Sequence, residues 1–112
     1  MHAIVFSAQA DKVRAFFADV LGLPSADAGE GWLIFALPPA ELAVHPADGD
    51  SHHELYLMCD DIHATLAELS GKGAEVARDV TDQGWGLLAA IRLPDGSEFP
   101  IYQPRHPSPF KP

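Results

Sequence analysis

The chain has little of what most directly announces a function class. It holds one cysteine, Cys59, so no internal disulfide can form. Apolar strand residues flank it, which makes the thiol a small hydrophobe rather than a nucleophile. Basic side chains are scarce too. Seven Lys and Arg stand against 16 Asp and Glu, a formal charge of −9, and the seven are scattered. That balance argues against nucleic acid, whose phosphates demand clustered cations, and it permits a cationic ligand. No apolar run is long enough to span a bilayer, so no membrane contact is expected. Met1 leads into a strand without the basic and apolar regions of a signal peptide, which makes the cytoplasm the expected location. Glycine-framed serine elbows, phosphate loops and Cys–His arrangements are all missing.

What is present is a repeat. A length of 112 residues bounds the chain to one domain with one core. Within it, the stretch His53 to Ile62 restarts the pattern of Met1 to Asp11. A constant offset lays Phe17 on Leu69, Asp11 on His63 and His2 on Glu54. In the first half, His2 to Ser7 alternates as a strand. Val13, Phe16, Phe17, Val20 and Leu21 then form an i, i+3, i+4, i+7, i+8 stripe that predicts a helix over Asp11 to Leu21 with both phenylalanines buried. Gly22 sits at its left-handed cap and Pro24 prevents continuation. Ser25 to Gly31 reads as a loop, Trp32 to Leu37 as a strand, Pro38-Pro39 as a turn, Glu41 to His45 as a second strand, and Ala47 to Ser51 as a link. In the second half, Asp60 or Asp61 caps a helix carrying Ile62, Thr65, Leu66 and Leu69, which Gly71 and Gly73 end. Glu75 to Ala77 is a short edge strand, Asp79 to Gly84 a loop and Trp85 to Leu93 a long strand. Pro94-Asp95-Gly96-Ser97 is a turn and Glu98 to Gln103 the last strand. Module 1 spans about residues 1–47, module 2 about 52–104, and a proline-rich tail over 105–112 is expected to be flexible.

Splitting four strands by parity separates two faces. Ala3 and Val5, Leu42 and Val44, Leu55, Leu57 and Cys59, and Phe99 and Ile101 make one face almost wholly apolar, suited to carrying the helices. The other face holds His2, Ile4 and Phe6; Glu41, Ala43 and His45; Glu54, Tyr56 and Met58; and Glu98, Pro100 and Tyr102. Carboxylates, imidazoles and phenols among apolar residues make a poor core and a plausible ligand cleft. Trp32 and Trp85 supply further aromatic walls. His52, His53, His63 and His106 fall in loop, helix and tail positions.

The run Lys12 to Leu23, after a strand opening with His2, resembles the first module of the vicinal oxygen chelate superfamily. The end, Leu93-Pro94-Asp95-Gly96-Ser97-Glu98-Phe99-Pro100-Ile101-Tyr102-Gln103-Pro104, resembles that family's closing turn and last strand. The group includes glyoxalase I, extradiol dioxygenases, and fosfomycin and bleomycin resistance proteins. The resemblance implies an α+β fold: two paired β-α-β-β-β modules forming a curved mixed sheet around a cleft, helices on the outer face, commonly as a homodimer. It also implies a divalent metal such as Zn, Ni, Mn or Fe(II), with His2 and Glu54 at two of the ligand positions. The other two positions hold Pro100 and Ala43, which offer no donor; Glu98, Glu41 and His45 stand two residues away, about 6.5 Å by strand rise. His2, Glu54 and Glu98 are thus the candidate metal ligands, with Glu54 or Glu98 the candidate catalytic base. Two function classes follow. One is a cleft that sequesters an aromatic or cationic small molecule, lined by Phe6, Glu41, His45, Tyr56, Met58, Tyr102, Trp32 and Trp85. The other is a metal-dependent lyase, isomerase or extradiol-type dioxygenase.

Overall fold

Alternation in the last third of the chain builds the sheet on which everything else rests. In the computed structural model, which describes residues 2–37, 39–46, 48–49 and 52–107, the elements run α1 (Ala10–Asp19), β1 (Ser25–Asp27), β2 (Leu33–Phe35), β3 (Leu57–Met58), α2 (Ile62–Gly71), β4 (Glu75–Asp82), β5 (Gly86–Arg92) and β6 (Glu98–Pro104). Strands β5 and β6 pair antiparallel from Gly86↔Pro104 to Arg92↔Glu98. Between them Asp95 closes the turn by accepting from the Ser97 N–H at 2.9 Å, and the Leu93 N–H donates to the Ser97 carbonyl at 2.7 Å. Gly86 is required where the two strands approach: a Cβ there would lie 2.6 Å from the Gln103 carbonyl oxygen. β4 pairs antiparallel with the other edge of β5, and β3 pairs parallel with β6. The sheet is therefore mixed, in the order β3-β6-β5-β4, while β1 and β2 form a separate hairpin. This is an α+β fold.

Both helices cover the same face of the sheet. The Asp61 carboxylate caps α2 by accepting from the Ala64 N–H at 3.1 Å, which satisfies one donor left open at a helix start. The Ile62 N–H, another of those donors, goes to the Gln103 side-chain carbonyl at 3.0 Å. From α2, Ile62, Leu66 and Leu69 meet Ala89, Ile91, Leu93 and Ile101 of the sheet side, and Val13 and Phe16 of α1 join the same cluster. Ile62, Ile91 and Ile101 are fully buried, each stabilising the fold by about 1.5–3 kcal/mol relative to exposure. Phe16 is buried as expected, whereas Phe17 is half-buried. It lies 5.8 Å, centroid to centroid, from both Phe35 of the hairpin and Phe99 of the sheet, so it ties the hairpin to the core. Gly22 takes φ 68° just past α1, the left-handed cap read from the sequence.

Several expected strands differ. His2 to Ser7 and Glu41 to His45 form none. Their alternation is real, but a strand needs a neighbouring edge to bond to, and neither segment pairs with one among the described residues. Their apolar side chains stand exposed: Phe6 by 89%, Leu42 by 78% and Val44 by 87%. The apolar face read by parity is thus filled by Leu57, Cys59, Phe99 and Ile101 but not by Val5, Leu42 or Val44. Segment 2–7 is fastened at its end, where the Ser7 hydroxyl donates to Asp95 at 2.5 Å. Ser25 to Asp27 is a strand rather than loop, and the edge strand expected to end at Ala77 continues to Asp82. Arg105 holds the chain beyond β6 in place with a forked pair to Asp82 at 2.6 and 2.9 Å and its N–H on the Trp85 carbonyl at 3.1 Å. Pro38 of the expected turn, residues 47, 50 and 51 of the link, and residues 108–112 of the tail lie outside the described residues.

Candidate functional site

The sheet face turned away from the helices carries the side chains of the opposite parity: Leu88, Ala90, Pro100, Tyr102 and, on the edges, Tyr56 and Arg78. They surround a depression of about 340 Å³ lined by Glu54, Tyr56, Arg78, Leu88, Ala90, Glu98 and Pro100, a volume at the small end of ligand sites, which begin at about 300 Å³. Its floor is apolar, and the register explains why it is low: Ala90 and Pro100 face each other across β5 and β6, so the two central strands contribute a methyl and a ring with no long arm.

The walls are polar. On the β3 side the Tyr56 hydroxyl donates to Glu54 Oε1 at 3.3 Å. Partial burial first, and then the neighbouring Glu54 charge, push the Tyr56 phenol above its ordinary value. On the β4 side Arg78 Nε donates to Glu98 Oε1 at 2.6 Å, with the Arg78 side chain 75% exposed. An exposed pair of that kind adds only about 0–1 kcal/mol to stability.

Beside the depression lies an aromatic corner. The Tyr102 ring meets Tyr56 and Trp85 edge-on, with centroids 5.5 and 5.6 Å away. Its hydroxyl donates to Glu41 Oε1 at 3.2 Å, and His106 Nε2 lies 3.3 Å from that hydroxyl and 3.2 Å from the same carboxylate oxygen. Burial, followed by the Glu41 carboxylate, raises the Tyr102 phenol. Segment 39–46 is thereby tied to β6 through Glu41 although it forms no strand.

Among the residues singled out from the sequence, Glu54, Tyr56 and Glu98 share the depression, and Tyr102, Trp85 and Glu41 share the corner. Met58, opposite Tyr102 in the β3–β6 ladder, extends the same face. Four others are not brought in. His2, Phe6 and His45 lie exposed on the two segments that find no sheet edge. Trp32 sits in the hairpin, where the Arg14 guanidinium of α1 lies 5.2 Å over its ring, a cation–π contact that holds it on the helix side. Besides Leu88 and Ala90 of the floor, two polar residues were missed. Arg78 lay just past the edge strand as read, and His106 lay in the tail.

A divalent ion wants three or more N and O ligands at about 2.0–2.2 Å. Among the described residues no group of three His, Cys, Asp or Glu side chains converges so as to hold one. His2 is exposed and not among the residues lining the depression, Glu98 is engaged by Arg78, Glu54 accepts from Tyr56, and Pro100 contributes no donor. The donors present do not fit the group's metal.

The sequence matches the glyoxalase-like domain over residues 3–102. The chain belongs to the glyoxalase-like domain family. Solved structures agree on the fold. TnmS3, an antibiotic binding protein from Streptomyces sp. CB03234, superposes with a TM-score of 0.65 at 24% identity, covering 93% of this chain and 99% of that one. A glyoxalase/bleomycin resistance protein from the same organism gives 0.62 at 25% identity over 88% and 95%. Lactoylglutathione lyase from Agrobacterium tumefaciens gives 0.66 at 16% identity over 92% and 91%. No match is found among the curated proteins. Family membership and these likenesses support the vicinal oxygen chelate superfamily. Among the described residues no helix is long and apolar enough to cross a membrane.

Proposed function

We propose that this glyoxalase-like protein is a binding module that sequesters an aromatic or cationic small molecule in the depression and its aromatic corner, acting in the cytoplasm as a homodimer. The observation that carries the reading is the combination on one sheet face: an apolar floor of Leu88, Ala90 and Pro100, and the linked rings of Tyr56, Tyr102 and Trp85 beside the carboxylates of Glu54 and Glu41. Rings with neighbouring carboxylates favour planar and positively charged guests. TnmS3, similar in fold, is an antibiotic binding protein, which lies in the same direction. Metal-dependent lyase, isomerase or dioxygenase chemistry is the alternative drawn from the family, and no contact among the described residues favours it over binding.

Titration with 1-naphthylmethylammonium, followed by amide NMR shifts and Trp85 fluorescence, tests the proposal. Binding should perturb Tyr56, Ala90 and Tyr102 together, and Tyr56→Ala should weaken it by about tenfold, the cost of one aromatic wall and a cation–π contact. Shifts confined to the exposed residues 2–6 or 41–45 would sink the reading.

The dimer rests on a separate observation. Ile4, Phe6, Leu42 and Val44 are exposed on two strand-like segments that pair with no strand among the described residues, and unpaired apolar edges are normally covered. A second copy offers the matching surface by symmetry. Sedimentation at micromolar concentration should report twice the chain mass; a 12.0 kDa particle would refute it.

A further inference from the structure

Four side chains of the depression stand in one row across the sheet. Arg78 is opposite Ala90, and Ala90 is opposite Pro100. Leu57 is opposite Ile101 in the parallel pair, which sets Tyr56 beside Pro100. Three strand spacings separate the ends of this row, about 14 Å between Cα atoms. The middle positions are short and the end positions long and polar, so the row is a trough with a chemically different post at each end.

At the β3 end, Glu54 is met by the Tyr56 hydroxyl and by no cationic side chain among the described residues. At the β4 end, Arg78 commits Nε to Glu98 and finds no other acceptor among the described residues. A guanidinium held along one side by a carboxylate keeps its terminal pair of N–H₂ groups for a second acid group, and the first contact fixes the direction in which that fork points.

We infer that Arg78 is a specificity-determining residue of the trough and that the ligand is zwitterionic: an acidic group on the Arg78 fork, a protonated amine against Glu54 and Tyr56, and an apolar or aromatic body lying over Ala90 and Pro100. The inference rests on the small-molecule-binding reading above and narrows it. Charge chooses between ligand classes. The trough already holds two carboxylates and one guanidinium within a chain of net charge −9, so a simple anion would add repulsion. A simple cation would use Glu54 and leave the Arg78 fork to water. A zwitterion adds no net charge and engages both posts. Allowing for the inward reach of the end side chains, its two charges should be roughly 10 Å apart on a row of this length.

The test uses the full-length protein and three matched probes titrated by calorimetry and amide NMR: 4′-(aminomethyl)biphenyl-4-carboxylate, its methyl ester, and biphenyl-4-carboxylate. The zwitterion should bind the wild type tightest. Arg78→Gln should weaken the zwitterion and the acid-only probe by about tenfold, as expected for loss of a charge-assisted fork, and leave the ester within about twofold. Arg78→Lys should recover part of the loss, keeping the charge without the fork. Glu54→Gln should weaken the zwitterion and the ester but not the acid. Equal binding of zwitterion and ester by the wild type, or an Arg78→Gln effect that is equal for all three probes or absent, overturns the inference while leaving the binding site in place. If no probe shifts the amides of Tyr56, Leu88 and Ala90, the binding reading itself fails and the inference falls with it. Unchanged melting temperatures of the exposed Arg78 and Glu54 variants secure the comparison.

Discussion

Removing the Phe16 ring is the sharpest probe of how the two halves share a core. Phe16 is 8% exposed and packs in the cluster that contains Ile62, Leu66 and Ile91, so Phe16→Ala leaves a cavity between α1, α2 and the sheet. A buried ring withdraws about 150–250 Å² from water, which at about 25 cal/mol per Å² gives about 4–6 kcal/mol as an upper estimate. Such truncations in well-packed cores cost about 3–5 kcal/mol. Against a total stability of about 5–15 kcal/mol, that is about a fifth or more, and Tm should fall by about 10–20 °C. Phe17 is half-buried but touches Phe16, Phe35 and Phe99, so Phe17→Ala should cost less, about 2–3 kcal/mol. Urea unfolding followed by far-ultraviolet circular dichroism measures both. Protein concentration must be fixed, because association shifts apparent stability. A loss under about 1 kcal/mol for Phe16→Ala at unchanged m, or a larger loss for Phe17→Ala, would show that the wrong face of α1 has been assigned to the core.

Three further outcomes can be checked. Gly86→Ala must push β5 and β6 apart, because its Cβ would meet the Gln103 carbonyl oxygen at 2.6 Å, and thermal melting should show a loss of about 1–3 kcal/mol; Gly71→Ala, in open space at the end of α2, should stabilise by about 0.5–1 kcal/mol. The Ser7 hydroxyl, then the Ser97 hydroxyl and N–H, hold the Asp95 carboxyl down at about 2 against an ordinary 3.8; since a lowered carboxyl stabilises the fold above its unfolded value and stops doing so as pH falls through its folded one, the fastening of segment 2–7 should be complete above about pH 4 and lost towards pH 2. Carbon-13 titration of Ser7→Ala should find Asp95 closer to its ordinary value, and an unmoved value would remove Ser7 as the cause. The chain has two tyrosines, both raised above 10.0 by burial and then by a carboxylate, so phenolate absorbance should show less than half ionisation at pH 10, and their stabilising contribution, full below pH 10, should vanish as pH rises through the raised values; Glu41→Gln should bring Tyr102 down.

What the sequence disclosed was what local physics decides. The stripe of Val13 and Phe16, the Asp61 cap, the Pro94 to Ser97 turn and the alternation through Phe99 and Ile101 each depend on residues a few positions apart, and each is found. What it hid depends on distant partners. Residues 2–7 and 41–45 alternate as strands should, but pairing is a property of two segments, and among the described residues no edge meets either. β4 was cut short for the opposite reason: register shifts between Val76 and Arg78 and between Arg78 and Thr81 break the period-two signal in a strand that is nonetheless paired. The same bulges concealed Arg78, and with it the fact that Glu98 is not a free carboxylate. Parity did find Glu54, Tyr56, Glu98 and Tyr102 on one face. Trp32 escaped because its partner, Arg14, belongs to α1 and not to the sheet.

Glu98 separates the family's metal chemistry from what this chain's trough can do. The Arg78 pair alone is a weak obstacle, since an exposed ion pair gives way for about 1 kcal/mol or less, far below what two or three ligand bonds to a divalent ion return. The shortage lies in the other donors. Pro100 occupies the strand position from which a side chain would reach the centre of the face, and Glu98, two residues along β6, is about 6.5 Å off that centre. Glu54 precedes β3 by three residues, across one strand boundary, and the one imidazole proposed to complete the set belongs to residues 2–7, which end in the Ser7–Asp95 hydrogen bond and pair with no strand among the described residues. Metal capacity is therefore governed by strand pairing more than by the strength of any single contact: only a sheet edge that captured residues 2–7 would turn the alternation of His2, Ile4 and Phe6 inward, and without it the trough keeps two carboxylates, one guanidinium and an apolar floor, a set suited to holding an organic molecule.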